Sequence, residues 1–118
     1  MCVRLRSTKM VLFAVGAGLA LPCAHSSAEA GDAKAGRAKV EDVCAVCHGV
    51  DGLSKVPEAP SLAGQNESYI IEQLGLFKTG SRSNDMMTGV AKDLSDSDIQ
   101  NVAAYYAAIP ITVGRPPE

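Results

Sequence analysis

Two cysteines three positions apart, with a histidine directly after the second, constrain this chain more than any other stretch: Cys44-Ala45-Val46-Cys47-His48. Residues 31–118 contain no other cysteine and no other histidine. A zinc site needs about four ligands, and this segment supplies three. A thioredoxin-like redox pair sits in a βαβ setting, and the chain shows no period-two alternation that would make strands. A disulfide across two intervening residues closes almost no loop and so constrains little. Covalent haem attachment through C-x-x-C-H remains. Two thioethers would tie the porphyrin to consecutive turns of one helix, and the next imidazole would point at the iron from the same side.

The first thirty residues read differently from the rest. Arg4, Arg6 and Lys9 precede an uncharged, largely apolar run from Met10 to Leu21. Pro22 breaks it, and small residues follow to Ala28-Glu29-Ala30. This is the layout of a secretory signal peptide with an A-x-A cleavage site. Twelve apolar residues fall short of the roughly 20 that span a bilayer. The expectation is a signal peptide over 1–30 and one domain over 31–118, with cleavage after Ala28 as the alternative. Cys23 follows Pro22 rather than the small residue usual before a lipid-modified cysteine. Export would place the domain in the periplasm, an oxidising compartment.

Residues 31–118 carry eight positive and twelve negative side chains, a net −4. That balance gives no basic patch for nucleic acid. The segment has no Trp, one Phe and three Tyr. So short a domain with so few large side chains buries a modest core and usually needs a staple, metal or cofactor. A haem, large and flat, would supply the missing apolar volume.

Three segments read as helices: Asp32 to Val46, Ser68 to Thr79 and Asp96 to Ala108. The second places Tyr69, Ile70, Leu74 and Phe77 at helical spacing, with Gly80 as its C-cap. The third starts from Ser95 as N-cap, with Leu94 and Ile99 as a hydrophobic staple, and stops at Pro110. Its stripe is Ile99, Val102, Ala103 and Tyr106, with Tyr105 and Ile109 beside it. Gly49 to Gln65 and Gly80 to Gly89 read as loops, the second holding Met86 and Met87.

In this order the segments "GDAKAGRAKVEDVCAVCHGVDG", "APSLAGQNESYIIEQLGLFKTGSRSND" and "MMTGVAKDLSDSDIQNVAAYYAAI" resemble a bacterial class I cytochrome c. They are similar to one half of the periplasmic two-haem cytochromes. The resemblance implies an all-α fold of three main helices and long loops wrapped around one covalent haem c. It implies Cys44 and Cys47 as attachment points and His48 as proximal ligand. The carbonyl of Pro60, twelve residues on, would hold the other ring nitrogen, and Leu62 would press on the same haem face. The distal ligand would be a methionine, Met87 by its place before Thr88-Gly89 and seven residues before Leu94, with Met86 as runner-up. Gly36 would let the first and last helices cross against an aromatic side chain, Tyr105 or, in its place, Tyr106. Arg82 would face a haem propionate or simply sit in solvent. The single C-x-x-C-H and the lack of a tryptophan near the propionates are departures from some relatives.

The function so implied is soluble one-electron transport in a respiratory or other periplasmic chain. The partners would be redox proteins such as a terminal oxidase or a periplasmic dehydrogenase, with no nucleic acid and no membrane span after signal cleavage. A peroxidase-like or nitric-oxide-handling enzyme, or a gas-binding module, would need an open iron position, and the enzyme usually a distal acid or base as well. No second histidine is available for that, whereas two methionines could close the site.

Overall fold

In the computed structural model, which describes residues 30–117, every regular element is helical. Asp32 stands in extended conformation, and its carboxylate accepts from the backbone N–H of Lys34 (2.8 Å) and Ala35 (3.4 Å). That cap starts α1, Ala33–Lys39, which runs without a break through a π-helical turn, Val40–Cys44, into α2, Ala45–His48. The sequence reading ended this helix at Val46 and held no hint of the π turn, in which the Ala45 N–H reaches the Val40 carbonyl. The turn has a geometric consequence. At 3.6 residues per turn, Gly36 and His48 would lie about 120° apart around the axis. Absorbing one extra residue brings them to within about 20°. Gly36, Val40 and His48 are all buried.

Asn66 caps α3, Glu67–Thr79, by accepting from Tyr69 N–H (3.3 Å). Ile70, Leu74 and Phe77 form its buried face, and Gly80, at φ 79°, closes it in the left-handed conformation expected of a C-cap glycine. Tyr69 is the exception in that apolar set, 45% exposed.

A fourth helix, α4, Asp85–Lys92, starts inside the stretch read as loop, Gly80 to Gly89, and runs beyond it. Its signal is local hydrogen bonding rather than periodicity. The Asn84 side chain accepts from Met86 N–H (3.1 Å) and Met87 N–H (3.0 Å), while the Thr88 hydroxyl accepts from Asn84 N–H (3.1 Å). An internal Gly89 and only two turns of length hide such a helix from a propensity reading.

The last helix, α5, is Asp96–Ala107. Ser95 and Asp98 form a reciprocal capping box, Asp98 N–H to Ser95 Oγ at 3.0 Å and Ser95 N–H to Asp98 Oδ2 at 2.9 Å. The expected stripe of Ile99, Val102, Ala103 and Tyr106 is the buried face. α5 is the centre of the molecule, with α1 and α3 packed on it and α4 packed on α3.

The α1–α5 crossing depends on Gly36. A Cβ there would overlap the Asn101 carbonyl and come to 3.0 Å from Tyr105 Cβ. Gly36→Ala is therefore expected to destabilise by about 3 kcal/mol, the upper range for overpacking, although helix propensity alone favours alanine by about 1 kcal/mol. Thermal unfolding measures the sign. A melting temperature that rises would mean the two helices do not touch in this way.

Candidate functional site

His48 closes α2 and is the single buried polar or charged residue among those described, 7% exposed. Its Nδ1 lies 2.8 Å from the Pro60 carbonyl oxygen. A carbonyl only accepts, so Nδ1 carries a proton, and in the neutral ring that leaves the Nε2 lone pair free.

The loop that carries Pro60 is tied back to the histidine's own segment. Lys55 N–H donates to the Cys47 carbonyl (2.8 Å), and Leu62 and Ala63 N–H both donate to the Gly52 carbonyl (2.7 and 3.0 Å). From α5, the Tyr105 hydroxyl donates to the Val50 carbonyl (2.8 Å) and the Tyr106 hydroxyl to the Gly49 carbonyl (3.1 Å). The sequence reading placed both tyrosines for their rings and missed their hydroxyls. The signal was there, because a tyrosine on a buried stripe needs a partner for its O–H. Burial, with Cys44, Tyr105 and Asp51 nearby, holds the Tyr106 hydroxyl protonated well above the ordinary phenol range.

His48, Cys47, Pro60 and Leu62 open onto a cavity of about 630 Å³. α3 contributes Ile70, Leu74 and Phe77 to its wall, and α4 contributes Met86 and Met87. The structure thus brings together five of the six residues singled out by sequence. Cys44 alone does not line the cavity; it is half-buried and packs against the core cluster around Val40 and Tyr106. Burial pushes its thiol up to about 11, against the smaller opposing effect of Lys39.

The two methionines differ sharply. Met87 is half-buried and packs on the core, whereas Met86 is 69% exposed. They are neighbours in the first turn of α4 and so lie about 100° apart around its axis. Arg82 is the one Lys or Arg among the lining residues. It donates to Gln73 Oε1, and its guanidinium carbon sits 4.6 Å from the centre of the Phe77 ring.

These residues fit a haem c. Both thiols are free and three residues apart, the imidazole presents one unprotonated nitrogen, and the wall is mainly apolar with a cation within it. Among the described residues, no group of three or more His, Cys, Asp and Glu side chains is placed to hold a metal ion by itself. No helix among them is long and apolar enough to cross a membrane.

Comparison with known proteins agrees. The family model for cytochrome c oxidase, cbb3-type, subunit III, matches residues 31–105. Cytochrome c4 of Pseudomonas aeruginosa is 48% identical over 85 residues, covering 72% of this chain and 42% of that one. Cytochrome c-554(548) of Halomonas halodenitrificans is 40% identical over 82 residues, covering 67% of this chain and 98% of that one. The crystal structure of reduced recombinant cytochrome c4 from Pseudomonas stutzeri superposes with a TM-score of 0.64 at 45% identity, over 72% of this chain and 49% of that chain. The chain spans about half the length of the cytochrome c4 relatives it matches. The family implies covalently attached haem c as its cofactor. The chain belongs to the class I cytochromes c, in the family of the cbb3-type oxidase subunit III domain, and is similar to one domain of the dihaem cytochromes c4.

Proposed function

We propose that this chain is a periplasmic one-electron carrier, not an enzyme, and that His48 and Met87 would hold its haem iron. The observation that carries this reading is the 2.8 Å hydrogen bond from His48 Nδ1–H to the Pro60 carbonyl. A ligating histidine is held in this way through its other nitrogen, which fixes the ring and raises its basicity. The haem, when bound, supplies Fe(III)/Fe(II) cycling. Everything else falls to the polypeptide.

Cys44 and Cys47 hold the group in place. Met87 provides a soft sulfur donor from the wall of the cavity, and Met/His ligation suits electron transfer at a raised potential. Leu62, Ile70, Leu74 and Phe77 keep water away, so that little solvent has to reorganise when the charge changes. Arg82 offers the positive charge for a propionate. Residues 1–30 act as the export signal and 31–118 as the working domain; residues 1–29 lie outside those the structure describes. A redox protein of the dehydrogenase type is the proposed donor. An oxidase is the proposed acceptor, in keeping with the family whose model the chain matches.

One purification tests this. Protein released from the periplasm should have the mass of residues 31–118 plus one haem, and its colour should resist acid acetone. The reduced protein should not bind carbon monoxide. Rapid carbon monoxide binding would mean an open iron and would overturn the carrier reading in favour of an enzyme or a gas-binding module.

A further inference from the structure

Tyr106 makes no hydrogen bond to His48 or Pro60, yet it holds the segments that carry both. Its hydroxyl donates to the carbonyl of Gly49, the residue after His48. Its own carbonyl accepts from the N–H of Gly64, four residues after Pro60, at 2.9 Å. The side chain is fully buried, and its ring meets the Tyr105 ring edge-on, 5.6 Å between centres. One residue of the central helix therefore grips both segments of loop that meet at His48 Nδ1–H to Pro60 O, alongside the bonds from Leu62 and Ala63 N–H to the Gly52 carbonyl and from Ser54 N–H to Ser61 Oγ.

We infer that Tyr106 is a positioning residue for the axial imidazole: by gripping both segments it sets how tightly His48 is held by Pro60, and so how strong a donor the ring is to iron. The inference rests on the reading of His48 as a ligand. The physical steps are short. Without the hydroxyl, the Gly49 carbonyl keeps only its longer bond from Gly52 N–H (3.2 Å), and the end of α2 is held less firmly against Pro60. A weaker Nδ1–H···O bond makes the imidazole less basic and stabilises Fe(III) less.

Tyr106→Phe tests it, because the ring and its packing stay. In the holoprotein, NMR should show the His48 Nδ1 proton exchanging with solvent about tenfold faster, the factor expected from losing roughly one hydrogen bond. The Fe(II) form should gain about two- to fivefold over Fe(III) at a fixed potential, a rise of about 20–40 mV at 59 mV per tenfold. Tyr105→Phe removes a similar bond, to Val50, but leaves both links of Tyr106 in place; it should change the exchange by less than about twofold. A melting temperature that falls in Tyr106→Phe while exchange and potential stay put would reduce Tyr106 to packing and overturn the inference. Equal effects of the two substitutions would overturn it as well. Should Tyr106→Phe not fold, 3-fluorotyrosine at position 106, a stronger donor of nearly the same shape, should slow the exchange; no slowing counts against the inference. A wild-type protein in which the His48 ring shows no iron-shifted resonances would instead remove the ligand assignment itself, a separate failure.

Discussion

Met87→Ala is expected to abolish the weak red absorption of the methionine–iron(III) bond and to let the reduced protein bind carbon monoxide. Its reduction potential should fall by a substantial part of the ~0.8 V range that axial ligands control, because a soft sulfur that favours Fe(II) is gone. Met86→Ala should do none of these. The reason lies in α4. Asn84 accepts from the backbone N–H of both methionines and so fixes where the helix begins. With the start fixed, Met87 turns onto the core and Met86 stays 69% exposed. Asn84→Ala would remove the cap but not choose between the two sulfurs, so the methionine pair is the sharper experiment. Should the two mutants behave the other way round, Met86 is the ligand. If both keep the band, neither is, and the carrier reading loses its main support.

The second large effect is on folding. Replacing both Cys44 and Cys47 by alanine should leave a polypeptide without stable tertiary structure, measured as a flat thermal transition and loss of covalent haem. The cavity of about 630 Å³ sets the scale. Without haem its mainly apolar wall would face water, a cost that a domain with a typical total stability of about 5–15 kcal/mol cannot easily carry. Collapse of the surrounding loops would recover part of this, but only by giving up the walls that define the site. Fully buried side chains are few, Tyr106 and Val40 the largest, and cannot fill the gap. A double mutant that melts cooperatively near the wild-type temperature would show that the haem is an occupant rather than most of the core.

The aromatic pair on α5 separates two kinds of effect. Gly36→Ala acts where α1 crosses this helix, at Asn101 and Tyr105. Tyr106→Phe acts at Gly49, where the hydroxyl is lost, and leaves the backbone bond to Gly64 in place. The first should cost stability with little change in potential, the second should shift potential at modest cost in stability. Comparing them distinguishes helix docking from control of the iron.

Much of this protein was legible in its residues. The C-x-x-C-H spacing pointed to the cofactor, because residues 31–118 hold no further Cys or His to complete a zinc site. The 3.6-residue period determined α3 and α5 to within a residue at each end, together with the buried stripe of Ile99, Val102, Ala103 and Tyr106, because a helix with one apolar face has one way to bury it. Tertiary structure decided the rest. α4 was invisible because its start depends on side-chain to backbone hydrogen bonds at Asn84 and Thr88, and its stability on packing against α3, neither of which leaves a period. The π turn at Val40–Cys44 was invisible for a related reason. An α-helix is locally the better choice for those residues, and one extra residue is absorbed only because Gly36 must meet α5 while His48 meets the cavity. The tyrosine hydroxyls found Gly49 and Val50 across more than fifty residues of chain. Local sequence specifies what a residue can do, and only the folded chain specifies which distant group it does it to.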